Sequence, residues 1–231
     1  MSFIVWPFPK ARRRRVAATS ESQAPTISGE FSAWFKDKEF AFDWTSGHFA
    51  TWSAILDPLK EIKLRVLEIG SYEGLSALFF LNFLPRSSIA CIDPWDAATI
   101  EPAISRLVPG DAEQYPFAEG RFDRNLRPFV DRVTKIKGFS IDALTDLGLS
   151  RRRFDLIYVD GSHRRADAYR DCVLSWPLLD PDGIMLIDDY EFGAQLPDEL
   201  KPKQAIDAFL ANIVEQYDEL HRAYQIAIRK R

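Results

Sequence analysis

Short apolar runs recur along the chain, and the stretches between most of them carry apolar residues at helical spacing. Val66, Leu67 and Ile69 open the series, and residues 88–92, 133–138, 154–159 and 183–187 continue it as buried strands. Helices are predicted over 75–84, 118–130, 140–147 and 164–176. Another is predicted over 202–217, where Ala205, Ile206, Phe209, Leu210 and Ile213 share one face. Strands and helices in alternation predict an α/β fold, a doubly wound and mostly parallel sheet with helices on both faces. Residues 224–228 alternate and predict a final strand.

Residues 1–29 mix Pro, Ser, Thr and Arg without a period, so a disordered basic tail is expected there and a single domain over 30–231. The first part of that domain, 30–62, is dense in aromatics and predicts a helical layer whose last helix carries Phe49, Trp52, Leu56 and Leu59 at helical spacing. Packing against the sheet and closing over a pocket as a lid are both open to these rings. The stretch 97–132 is more polar, is longer than a minimal crossover and is expected to line part of an acceptor pocket.

With 231 residues and 46% hydrophobic composition the chain can bury the core of one such domain. A formal net charge of −4 and no broad basic stripe weigh against a nucleic-acid surface. No apolar run is long enough to predict a membrane span, and Arg12 to Arg15 follow a segment too short and proline-broken for a secretory leader. Cys91 and Cys172 both fall in apolar surroundings and read as free, buried thiols of a reducing compartment, so a cytoplasmic location is expected.

The candidate chemistry gathers at the predicted carboxyl ends of the strands. Gly70 and Gly74 flank a tight turn between the first strand and the first long helix, which lets backbone N–H groups approach a ligand, and Glu68 adds a charge beside it. The spacing is G-x-x-x-G, not the G-x-G-x-x-G of a dinucleotide fingerprint, so a nicotinamide-dependent oxidoreductase is the poorer fit. Asp93 ends the second strand about 20 residues past the turn, where a carboxylate accepts hydrogen bonds from ribose hydroxyls; a plain Asp-Pro turn is the alternative. Trp95 is placed to stack on an adenine ring or to pack, and Ser140 to cap a helix and face the adenine end of a cofactor. The run Phe154 to His163 delivers Asp160 and His163 to the same edge, and the next strand ends in Asp188 and Asp189. Adjacent carboxylates repel, so a positive partner is expected, and Asp160, Asp188 and Asp189 would supply the all-oxygen ligands that Mg2+ prefers. Capping of a loop, or pairing with an arginine such as Arg164, is the alternative for these acids.

Taken together, Leu67-Glu68-Ile69-Gly70 with Gly74, Ile92-Asp93-Pro94-Trp95, Gly138 with Ser140, Asp160-Gly161-Ser162-His163 and Ile187-Asp188-Asp189-Tyr190 resemble the class I S-adenosylmethionine-dependent methyltransferases. Within them the pattern looks most like the small-molecule and sugar O-methyltransferase branch. The resemblance implies a Rossmann-like fold with an antiparallel C-terminal strand. It also implies S-adenosylmethionine as cofactor, a small hydroxylated acceptor and Mg2+. Glu68, Gly70, Ser71 and Gly74 would hold the methionine part, Asp93 the ribose, and Trp95 and Ser140 the adenine side. Asp160, Asp188 and Asp189 would bind the metal, and His163, with Asp160, would serve catalysis as general base. Phe139 stands where many relatives place an acid that contacts the adenine amino group. A homo-oligomer is compatible with this reading. A catalytically silent cofactor binder is the alternative from another class, and no Asn-Pro-Pro-Tyr-type motif supports a nucleic-acid methyltransferase.

Overall fold

A computed structural model of the chain describes residues 29–99 and 110–231. The basic tail, including Arg12 to Arg15, and residues 100–109 of the polar stretch lie outside the described residues.

Seven strands form one sheet: β1 (Arg65–Ile69), β2 (Ser88–Asp93), β3 (Val133–Lys137), β4 (Phe154–Val159), β5 (Leu179–Ile187), β6 (Tyr217–Arg222) and β7 (Ile226–Lys230). Their order is β3-β2-β1-β4-β5-β7-β6. β1 to β5 run parallel, and β7 pairs antiparallel with both β5 and β6. The chain winds outward from β1 through β2 to β3, then returns to β4 on the other side of β1. Ligands bind in open α/β sheets at this reversal, beyond the carboxyl ends of the strands. The doubly wound sheet is as the sequence predicts, with two antiparallel strands at its C-terminal side where one was expected.

Helices cover both faces because the parallel strands are apolar on both sides. On one face lie α1 (Phe49–Leu56) and α2 (Leu75–Phe83). α2 is buried almost all round, its Phe79 ring set against Phe49 at 4.4 Å and Phe83 at 5.4 Å. Phe35, Phe40, Phe49 and Trp52 are all buried in this cluster, so most of the aromatic N-terminal layer packs. Phe42 and Trp44 behave differently, stacking in turn on each other and on Tyr72 at 5.1 Å beside the glycine turn, with Trp44 49% exposed. On this side, too, the polar stretch contributes α3 (Asp111–Gln114) and α4 (Ala118–Leu126). The other face carries α5 (Ser140–Leu149), α6 (Arg165–Ser175) and α7 (Lys203–Asn212) over a second core cluster that includes Leu144, Cys172, Trp176 and Phe209.

Several boundaries differ from the pattern for local reasons. α1 gives way to a 3-10 turn at Asp57–Leu59, where Pro58 stands near its start, and α4 stops at Leu126 ahead of a 3-10 segment containing Pro128. α7 ends at Asn212, not at Tyr217, because Tyr217 begins β6. β6 reads Tyr-Asp-Glu-Leu-His-Arg and lies at the sheet edge with its side chains largely in solvent, so it shows no apolar run. β7 does not alternate as expected: Ile226, Ala227 and Ile228 are all buried, since the strand lies between β5 and β6 and faces both cores.

Gly70 sits where β1, β2 and β4 meet. Its N–H donates to Ile92 O at 2.8 Å, its φ is +88°, and a Cβ placed on it would stand 1.8 Å from the carbonyl oxygen of Asp160. Both the backbone conformation and the space therefore require glycine. Gly70→Ala is expected to lose more than about 2 kcal/mol of unfolding free energy in urea. A loss under about 0.5 kcal/mol would contradict this contact.

Candidate active site

The turn after β1 presents buried polar atoms with hydrogen-bonding capacity to spare. Glu68 and Ser71 are 0% and 1% exposed. One oxygen of Glu68 accepts a hydrogen bond from the Ser76 hydroxyl, while Glu68 Oε2 and Ser71 Oγ make no hydrogen bond of good geometry among the described residues and lie beside each other and the Cys91 thiol. Such orphans are costly in a folded protein and mark places where a bound group completes the structure. Burial pushes the Glu68 carboxyl up to about 7, against the opposing effects of the Ser71 and Ser76 hydroxyls and the Cys91 thiol beside it. Gly74, at φ +81°, closes the turn against Phe122 and Leu126 of α4.

Asp93, one strand over, is 4% exposed and accepts three hydrogen bonds: from Tyr72 N at 2.9 Å, Trp95 N at 2.7 Å and the Tyr115 hydroxyl at 3.1 Å. Burial raises its pKa, and these bonds oppose the rise. Trp95 packs: its ring lies 4.8 Å from Phe122 under the Lys135 ammonium, and its indole N–H donates to Tyr72 O at 2.7 Å. It shapes the site through its backbone and indole N–H groups while its ring is 8% exposed. Ser140 is the first residue of α5, following the N-cap Phe139, so it is not itself the cap. Burial pushes the carboxyl of Asp171 on α6 up to about 6, against the opposing effect of the nearby Ser140 hydroxyl.

Sequence reasoning missed Glu73, which joins three segments around the glycine turn. The residue is 2% exposed; its carboxylate accepts from Ala41 N and Arg121 Nη1, both at 2.6 Å, and its carbonyl accepts from Asn125 Nδ2 at 3.0 Å. Asn125 in turn bonds the backbone of Glu39 in both directions. The N-terminal layer and α4 are thus tied to one residue of the turn. An acid between two glycines gives no signal in sequence that it faces inward. A narrow crevice remains between this layer and the turn, lined by Phe40, Phe42, Trp44, Gly70, Ser71 and Asp160 among others.

The three acids at the ends of β4 and β5 do gather. The Tyr158 hydroxyl lies between Asp160 Oδ2, at 2.8 Å, and Asp188 Oδ2. A phenol has one proton, so two carboxyls bonded to it require a second proton on one of them. In agreement, burial and the charge of its acidic neighbours raise Asp160, and burial with Asp189 pushes Asp188 up to about 7. Gln225 also donates to Asp188 at 2.7 Å and accepts from the Trp52 indole at 2.7 Å, which links this cluster to α1.

Asp189, at φ +61°, behaves in the opposite sense. Burial alone would raise its carboxyl, but His163 and the Tyr224 hydroxyl hold it below its usual range. His163 Nε2 lies 2.9 Å from Asp189 Oδ2, Tyr224 donates to Oδ1 at 2.8 Å, and the His163 ring stacks tilted on Phe192 at 4.2 Å. His163 does not cap the helix that follows it: the N-cap of α6 is Arg164, and Ser162 Oγ accepts from Arg164 N at 3.2 Å. For a divalent cation the donor chemistry fits, three carboxylates and no sulfur. As folded, however, their oxygens bond Tyr158, Gln225, Tyr224 and His163, and among the described residues no group of three or more His, Cys, Asp or Glu is arranged to hold a metal ion.

A glycine turn with buried polar atoms, an acid at the end of the adjacent strand and an acid-histidine pair at the end of β5 lie together at the carboxyl edge of a doubly wound α/β sheet. The pattern of a family described as a methyltransferase domain matches residues 67–190, more than half of the chain, and the chain belongs to that family. O-methyltransferase hkm8 of Aspergillus hancockii is 30% identical over 125 residues, covering 54% of this chain and 42% of that protein. Mycinamicin VI 2''-O-methyltransferase of Micromonospora griseorubida is 24% identical over 181 residues, covering 75% and 38%. The chain therefore spans less than half the length of either relative. Among solved structures, the MycE methyltransferase from the mycinamycin pathway, in complex with Mg, SAH and mycinamycin VI, superposes with a TM-score of 0.56 at 19% identity over 90% of this chain and 55% of that one. SAH-bound Podospora anserina methyltransferase PaMTH1 gives 0.59 at 20% identity over the whole of both chains. These likenesses establish the fold. No helix among the described residues is long and apolar enough to cross a membrane, and both cysteines are free and buried.

Burial of Glu68 has a consequence for stability. A carboxyl whose folded pKa lies above its unfolded one binds its proton more tightly when folded. Its contribution therefore favours the folded state below the unfolded value and is lost as pH rises from 4.5 to about 7. Glu68→Gln is expected to raise the Tm of the ligand-free chain at pH 8, by the equivalent of at most about 3 kcal/mol, and to change it little at pH 5. Parallel loss of stability in wild type and variant between these pH values would contradict burial as the cause.

Proposed function

We propose that the chain transfers a methyl group from S-adenosylmethionine to a hydroxyl of a small-molecule acceptor such as a sugar or a vicinal diol. The observation that carries this reading is the orphaned pair Glu68 Oε2 and Ser71 Oγ at the glycine turn, one strand away from Asp93. A buried carboxyl and a hydroxyl with bonding capacity left over suit the amino acid end of the cofactor, which brings its own donors. Gly70 and Gly74 let the backbone come close to it, and Asp93 is placed for ribose hydroxyls. Ser140 and Trp95 border the adenine side. The two curated relatives are named as O-methyltransferases, and the solved neighbours include SAH complexes. The domain carrying this activity would run over residues 30–231, with part of 30–62 above the crevice.

Methyl transfer from a sulfonium needs alignment and the removal of one proton. The acceptor oxygen donates a lone pair to the methyl carbon, the carbon–sulfur bond breaks, and the sulfur leaves as a neutral thioether. His163 would take the hydroxyl proton, with Asp189 stabilising the imidazolium that results. Asp160, on the other side of the crevice from Trp44, would help orient the hydroxyl. Mg2+ belongs to the reading as a proposal on donor chemistry: Asp160, Asp188 and Asp189 are the residues that would hold it once their present hydrogen bonds are exchanged. A divalent ion there would lower the pKa of an acceptor hydroxyl and orient it.

The roles separate experimentally. Asp93→Ala is expected to weaken binding of S-adenosylhomocysteine by about 10- to 100-fold in calorimetry. His163→Ala should leave that binding intact and lower methyl transfer by about 100- to 10,000-fold. If His163→Ala transfers methyl groups at the wild-type rate, the base assignment is wrong. For the metal, Mg2+ is expected to raise the Tm of the S-adenosylhomocysteine complex, and Asp188→Asn to abolish the rise. No rise in the wild type would remove magnesium from the reading and leave the methyl transfer standing.

A further inference from the structure

His48, the residue before α1, is a second imidazole beside the acids that end β5. It is the N-cap residue of α1, yet its side chain makes no capping bond. Its ring rests against two others, Trp52 at 6.3 Å with an interplanar angle of 25° and Tyr224 at 5.8 Å with 14°. Both of those rings are themselves fixed. The Trp52 indole donates to Gln225, which bonds Asp188, and the Tyr224 hydroxyl donates to Asp189 at 2.8 Å. His48 is therefore a preorganised ring, one phenol away from the carboxylate that holds His163. Its nitrogens are unused: half-buried, the side chain makes ring stacks and no hydrogen bond among the described residues. Burial holds the imidazole below its usual range, against the charges of Asp189 and Asp43. A neutral imidazole carries one donor and one acceptor, which is what a hydroxyl needs. Thr45, three residues before it, lines the crevice at the glycine turn, so this segment borders the space an acceptor would enter.

The two histidines suit different tasks. His163 has a carboxylate bonded to it and can carry a proton, whereas His48 has none and can donate and accept hydrogen bonds without changing charge. We infer that His48 reads the acceptor: its imidazole hydrogen-bonds the oxygen adjacent to the one that is methylated, so the site selects acceptors with two neighbouring hydroxyls. This rests on the function proposed above and adds a residue and a specificity to it. From His163 the order of contact runs through Asp189 and Tyr224 to His48, which gives a hydroxyl at His163 a neighbour to its side with a ring nitrogen to meet it. An acceptor lacking the second hydroxyl covers that nitrogen without pairing it, and a site built to hydrogen-bond a group discriminates against the analogue that lacks it.

The chain has three histidines, so ring 1H–15N spectra of the full chain resolve each of them, and single substitutions assign the signals. The probe is catechol, with phenol as the single-hydroxyl control, titrated into the chain saturated with S-adenosylhomocysteine. Catechol is expected to shift the His48 and His163 signals along one saturation curve. Phenol should bind about 5-fold more weakly or worse and leave the His48 signal in place. His48→Phe keeps a ring for the stack and removes the nitrogens; catechol should then bind about as weakly as phenol, with His163 still shifting. Catechol that shifts His163 but not His48 overturns the inference, as does wild-type catechol affinity in His48→Phe. Catechol that shifts neither ring overturns it too, and leaves the cofactor reading in place because binding of S-adenosylhomocysteine is measured separately. If the folded wild type does not bind S-adenosylhomocysteine, the cofactor reading itself fails and the inference falls with it.

Discussion

The contact on which the rest of the site depends is the approach of Gly70 to the carbonyl of Asp160. No side chain fits there, since a Cβ on Gly70 would stand 1.8 Å from that oxygen. The contact brings the ends of β1 and β4 together at the reversal of the sheet, and Asp160 N completes it by donating to Ile69 O at 2.9 Å. The glycine turn, with its orphaned oxygens, then lies on one side of the crevice. Asp160 lines the same crevice as Gly70 and Ser71 and opens the loop that carries His163.

A second constraint is electrostatic. Glu68, Asp93, Asp160 and Asp188 are all carboxyls whose affinity for protons burial has raised, and they stand at or near the carboxyl ends of β1, β2, β4 and β5. Only Asp189, with His163 against it, is held in its charged form. A site that buries four acids gives up stability in the absence of ligand, and such local violations of good packing sense are where function is found. Cationic and donor-rich groups suit it, and S-adenosylmethionine carries both a sulfonium and an ammonium.

The sequence showed the parallel strands, the glycine turn and the acids at the strand ends, because each is a local pattern: an apolar run, a pair of glycines, a charge that stops a run. What it hid was set by partners far along the chain. Glu73 binds the N-terminal layer and α4, the latter almost fifty residues on, and between two glycines it looks like any surface acid. The chain Trp52 to Gln225 to Asp188 to Tyr158 joins α1, the segment before β7, β5 and β4, and no spacing announces it. β6 was hidden because an edge strand exposed to water has no need of an apolar face. The direction of the Trp95 ring was equally beyond a local reading, since a positive φ at that residue and Phe122 on α4 decide it.

The central claim is that the crevice between the glycine turn and Asp93 is the cofactor site, and amide hydrogen exchange of the whole chain with and without S-adenosylhomocysteine addresses it most directly. The account predicts new protection at residues 70–76, 93–95 and 138–143, with His163 and its loop changed less. Binding without protection at the first two segments, or protection centred elsewhere in the sheet, would contradict it.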